Sequence, residues 1–155
     1  MESPMSAVSL VNPGEGDVVV VGPIMTRTVE DGSHTAHHMG AILVTVAPRS
    51  PGPPQHVHRE HDEGFLVTSG VMRFTTGERT IDAPAGSYVA VPRDAPHTFS
   101  NPFDEPAVMF CIMTPDLYVP YFRDLKALQD GVGLNGPAIL QIMSRYATEP
   151  APARA

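Results

Sequence analysis

From residue 17 to residue 114 the apolar positions come in short runs, each closed by glycine, proline or a polar cluster. DVVVVG (17–22), IMTRTV (24–29) and HMGAILVTV (38–46) are rich in β-branched residues and predict strands. EGFLVTS (63–69) and VMRFTT (71–76) flank Gly70 and predict a hairpin. RTIDA (79–83), SYVAV (87–91), HTFS (97–100) and AVMFCIMT (107–114) continue the series. The period then lengthens. DLYVPYFRDLKALQD (116–130) carries apolar residues at 118, 121, 122, 125 and 128, the spacing of one helical face. Pro120 fits its first turn, and Gly131 and Gly133 end it. GPAILQIMSRYA (136–147) predicts a second helix with Pro137 near its start. Many strands followed by two helices predict an all-β barrel or sandwich with a C-terminal helical appendage.

A chain of 155 residues suits one domain with a real core. The domain is expected over 17–148, with the barrel at about 17–114 and the helices at about 116–148. Residues 1–16 and 149–155 are small, polar and proline-rich, and read as flexible tails. The 17 prolines and 13 glycines fit short strands and tight turns. A net charge of −7 removes the electrostatic basis for binding nucleic acid. No apolar run reaches membrane-spanning length and no signal peptide is visible, so a cytoplasmic protein is expected. The single cysteine, Cys111, lies in an apolar run and reads as a small buried hydrophobe.

Chemistry concentrates in QHVHREHDEGF (55–65). On a strand, residues i and i+2 face the same way, so His56 and His58 can address one ion. Arg59 to Asp62 form a presumed solvated turn that could bring Glu63 back beside them. His97 heads a later strand after the turn PRDAP. Imidazole and carboxylate suit divalent Fe, Mn, Ni, Co, Cu or Zn. Three histidines and one glutamate would leave one or two positions open for chemistry.

Two longer patterns contain these residues. Gly52-x3-His56-x-His58-x4-Glu63-x6-Gly70 resembles the first cupin motif, with its leading spacer two residues short. Gly77-x6-Pro84-x-Gly86, then Pro92, Pro96, His97 and Asn101, resembles the second. The chain resembles the small single-domain cupins that are similar to quercetin dioxygenases, and cupin polyketide cyclases are also similar. The resemblance implies a double-stranded β-helix, a jelly-roll barrel with one divalent transition metal in its mouth. It places His56, His58, Glu63 and His97 at the four ligand positions and gives Asn101 a structural role. It also implies a homodimer. Ser87 departs from the pattern, where an acid commonly follows the motif glycine.

Other residues are placed by position. His38 shares strand parity with Ile42, Val44 and Val46 and is a candidate pocket acid or base, against a surface reading. His34 and His37 read as loop residues. His61 falls in the spacer between ligands and reads as a loop histidine at the pocket rim. Phe65, Tyr88, Phe99, Met109 and Met113 are candidate pocket walls, and the resemblance to the cupin fold implies that Tyr118, Tyr121 and Phe122 can close the mouth. Three functions compete. The first is an oxygenase acting on a small aromatic or polyphenol, with Glu63 as ligand and base. The second is a non-redox polyketide cyclase or isomerase, and the third a non-catalytic binding module.

Overall fold

The computed structural model describes residues 7–151. The tail expectations for 1–6 and 152–155 lie outside the described residues. Strands β1 (Asp17–Val21), β2 (Ile24–Glu30), β3 (Gly40–Val46), β4 (His56–His58) and β5 (Asp62–Ser69) form first. They are followed by β6 (Val71–Thr76), β7 (Arg79–Pro84), β8 (Tyr88–Val91), β9 (Thr98–Ser100) and β10 (Ala107–Thr114). Helices α1 (Tyr121–Asp130) and α2 (Gly136–Arg145) come next, and a short β11 (Thr148–Pro150) ends the fold.

One sheet has six strands in the order β1-β2-β3-β10-β5-β8, all pairs antiparallel. A second has the order β7-β6-β9, and β11 pairs with β4. Alternation sets the core. In β10 every second side chain is buried, Met109, Cys111 and Met113 among them, facing Val44 and Ile42 on β3 and Val67 and Phe65 on β5. Met72, Phe74 and Phe99 from the three-stranded sheet close the same core. The result is the expected jelly-roll barrel with two C-terminal helices.

Two glycines are required by space. Gly70 turns β5 into β6 at φ 70°, and a Cβ there would lie 2.4 Å from the Pro106 carbonyl oxygen. A Cβ on Gly52 would fall 1.4 Å from the Phe99 carbonyl oxygen, so the segment leading to β4 can lie against β9 only with glycine.

Three differences from the sequence reading bear on the site. The first helix begins at Tyr121 with Pro120 as its N-cap, because residues 116–119 turn rather than coil. Strand β3 begins at Gly40 instead of residue 38. Glu149 and Pro150 are paired in β11 rather than tail, with Thr148, Glu149 and Pro150 opposite His58, Val57 and His56. Their composition conceals this, since the pairing partner is a strand of three residues far away in sequence.

Candidate metal centre and its cavity

Strand β4 is HVH, buried at all three positions. Its pleat sends His56 and His58 to one side, with ring centroids 4.8 Å apart. His97 is delivered by the backbone: His56 and His97 exchange N–H···O=C bonds of 3.0 Å in both directions. Their rings lie 4.5 Å apart, and His58 and His97 lie 5.0 Å apart. Glu63 enters from β5, in register with Val91 on β8 and Met113 on β10. Its Oε1 is 3.2 Å from His58 Nε2 and its Oε2 is 3.2 Å from His97 Nε2. The structure thus brings together all four residues read from the sequence as ligands.

The outer nitrogens determine what the inner ones can do. His56 Nδ1 donates to Pro54 O at 2.9 Å and His97 Nδ1 donates to Ala95 O at 3.0 Å. His58 Nδ1 lies 2.7 Å from Thr148 Oγ1, whose hydroxyl donates to Tyr146 O at 3.1 Å, so that oxygen accepts from His58. A neutral imidazole carries one proton, and here each of the three is used on the outside. The three Nε2 lone pairs of His56, His58 and His97 therefore converge beside the Glu63 carboxylate, and His58 Nε2 has no hydrogen-bond partner among the described residues. A divalent transition cation satisfies such a donor set, and outward anchoring of Nδ1 is how ligating histidines are held.

Burial tunes the groups accordingly. It pushes His56 down to about 4, helped by the nearby His97 and His58, and lowers His58 as well. Both are held neutral, the ligating form. Burial opposes the Glu63 charge, but its close contacts with the rings of His58, His61 and His97 outweigh it and hold the carboxyl well below its ordinary range.

His61 corrects the sequence reading. It is 1% exposed rather than at a loop rim, and its Nε2 lies 3.1 Å from Glu63 Oε1. His61 and Glu63 are i and i+2 and share a face, a parity signal that the spacer argument overrode. Its Nδ1 is buried without a partner among the described residues. Of the presumed turn, Arg59, Glu60 and Asp62 are exposed as expected. Arg59 ties the turn down, reaching Asp94 at 2.8 Å and Glu149 at 2.9 Å.

The cluster forms the floor of a cavity of about 450 Å³. Phe65, Phe99 and Met113 line it, as expected, with Ile42 and Val44 from β3. Tyr118, Tyr121 and Phe122 close it from the segment that becomes α1. Two candidate wall residues lie elsewhere. Met109 is fully buried in the core behind the wall, and Tyr88 is 68% exposed on the outer face, its hydroxyl over Gly64. His38 is exposed on the loop before β3 and does not reach the cavity, because the strand that would have turned it inward starts two residues later. His34 and His37 are exposed too, bonded to Glu30 at 3.1 Å and to Asp116 at 2.8 Å. Sequence reasoning missed Thr148 and the packing of Tyr118 edge-on against His58 at 4.6 Å.

The sequence model described as "Cupin domain" matches residues 42–113. Over 91 residues the chain is 29% identical to quercetin 2,3-dioxygenase of Bacillus subtilis, covering 58% of this chain and 26% of that protein. The match thus spans about a quarter of the relative's length. A sugar phosphate isomerase from Silicibacter pomeroyi superposes with a TM-score of 0.53 at 25% identity, covering 59% of each chain. The polyketide cyclase RemF from Streptomyces resistomycificus superposes with a TM-score of 0.62 at 20% identity, covering 71% of this chain and 80% of that one. That likeness shows the fold alone.

Proposed function

From the premise that residues 42–113 form a cupin domain, we propose that this protein is a metal-dependent enzyme acting on a small, uncharged aromatic molecule, in the manner of a quercetinase-like dioxygenase. The observation that carries the reading is the cluster of His56, His58 and His97, with Glu63 3.2 Å from His58 and from His97, at the floor of a mostly apolar cavity. When bound, a divalent transition metal would hold and polarise one substrate oxygen and, if redox-active, support reaction with O₂. The chain's own residues do the rest. Ile42, Val44, Phe65 and Phe99 take the rings and exclude water. Glu63, held ionised, can accept the proton of an enol or phenol that docks beside it.

Among the described residues no lysine or arginine lines the cavity, which argues against a phosphorylated or carboxylated sugar as substrate. A non-redox cyclase or isomerase is the second reading, favoured by the ionised Glu63 facing a protonated phenol at Tyr118 across one cavity. That pair could move a proton between two carbons without oxygen.

Metal analysis of freshly purified protein, followed by O₂ uptake with quercetin, tests the main reading. Stoichiometric Fe, Mn, Ni or Cu with uptake supports it. No uptake with any of these metals restored would sink it in favour of the cyclase. A homodimer in the cytoplasm accompanies the proposal; Leu66, Tyr88 and Ile112, exposed on the outer face of the large sheet, support such pairing.

A further inference from the structure

Beyond its four converging residues the cavity offers few polar side chains: Gln55, Cys111, Tyr118 and Tyr121. Gln55 is already used, accepting from Gly77 N at 2.8 Å and donating to Gly77 O at 3.1 Å. Cys111 is a weak donor, and burial raises its thiol well above the ordinary value. The two phenols remain. They stack on each other with centroids 4.4 Å apart and planes 18° from parallel. Tyr118 also packs against His58 at 4.6 Å and His61 at 5.3 Å, so the pair sits directly beside the metal floor.

Neither hydroxyl is bonded to a backbone carbonyl or a carboxylate among the described residues. Tyr146, in the same aromatic group, is different: its hydroxyl is given to Asp124. An apolar wall whose two phenols are bonded to each other, Tyr118 donating to Tyr121, leaves the Tyr121 O–H beside a metal floor to read a second oxygen on a ligand whose first oxygen is at the floor.

We propose that Tyr118 and Tyr121 form a hydrogen-bonding clamp that selects neutral, planar ring compounds carrying two neighbouring oxygens. The inference rests on the substrate reading above and sharpens it: one oxygen goes to the cluster and its neighbour to the phenols. A charged phosphate or carboxylate in place of the second oxygen would find no cation in the wall among the described residues.

The test uses protein loaded with zinc, which binds the floor without redox turnover, and two probes. 3-Hydroxyflavone carries adjacent hydroxyl and carbonyl oxygens; flavone lacks the hydroxyl. In fluorescence or calorimetric titrations, Y118F and Y121F are expected to weaken 3-hydroxyflavone binding about fivefold to tenfold. Flavone affinity should change less than about twofold, since the rings and their packing are kept. Unchanged zinc stoichiometry and melting temperature establish that each variant is folded and loaded. If both probes bind both variants as they bind the unaltered protein, the clamp is overturned while the substrate reading stands. If the zinc-loaded unaltered protein binds neither probe, the substrate reading fails, and the clamp with it.

Discussion

Thr148 Oγ1 accepts a 2.7 Å hydrogen bond from His58 Nδ1, across 90 residues of sequence. Strand pairing sets it up, since Thr148 lies opposite His58 in the β11–β4 ladder. The hydroxyl in turn donates to Tyr146 O at 3.1 Å, which fixes its proton away from the imidazole. His58 is thereby held in the tautomer whose Nε2 faces Glu63. Thr148→Val keeps the shape and removes the acceptor, leaving a buried N–H unpaired. We expect metal affinity to fall about 10- to 100-fold, with Thr148→Ser largely restoring it. Competition against a chromophoric chelator measures this, and equal affinities would show that β11 is only structural.

Replacing His58 or His97 with alanine is expected to abolish metal retention, because each supplies an inward lone pair that no neighbour can replace. His61→Ala should differ. His61 holds Glu63 Oε1 at 3.1 Å and sits beside the donor set rather than being needed to complete it. That variant should still load stoichiometrically under excess metal while releasing it about tenfold more readily. Elemental analysis before and after dialysis separates the three variants. Loss of all metal from His61→Ala would make His61 a ligand in its own right.

These two cases show where the sequence was legible. The β10 run is apolar nearly throughout, so it reads as a strand while its residue types leave its faces unmarked, whereas the HVH pair followed from pleat alone. Glu63 and His97 needed a motif, because nothing local shows that a turn and a distant backbone pairing bring them together. His61 went astray because a residue counted inside a spacer was taken for loop, although its parity with Glu63 pointed inward. Thr148 was beyond reach. It precedes EPAPARA, whose composition reads as tail, and its partner strand has three residues. Short strands paired over long separations leave almost no periodic trace.

The metal-free protein should lose stability in acid. His56 titrates at about 4 when folded and near 6.5 when unfolded, so between those values the unfolded chain binds the extra proton. The contribution is complete above about pH 6.5 and is lost as pH falls toward about 4, amounting to about 3 kcal/mol. His58 shifts in the same direction, and Glu63, held ionised, adds a further loss at still lower pH. Urea midpoints at pH 8, 6, 5 and 4 measure the curve. Metal loading should steepen it, because the same protons displace the ion. A flat profile in the metal-free protein would mean that the imidazoles are solvated rather than buried.

Asn101 isolates the fold's contribution from the site's. Its side chain is fully buried, and Nδ2 donates to Glu105 O at 2.8 Å, Val46 O at 3.1 Å and Ala47 O at 3.2 Å. Its Oδ1 accepts from Phe103 N at 3.1 Å, so one amide fastens the end of β3 to the loop after β9. Asn101→Ala strands these groups and should cost about 3 kcal/mol, near the upper end for a lost buried polar network. Asn101→Asp should cost at least as much, because a carboxylate cannot donate and would face three carbonyl oxygens. Neither change touches the cluster, whose imidazoles are anchored at Pro54, Ala95 and Thr148. Under conditions where the variants remain folded, metal stoichiometry should therefore be unaltered while the urea midpoint falls. A variant that keeps its midpoint but loses metal would place Asn101 in the site instead of the frame.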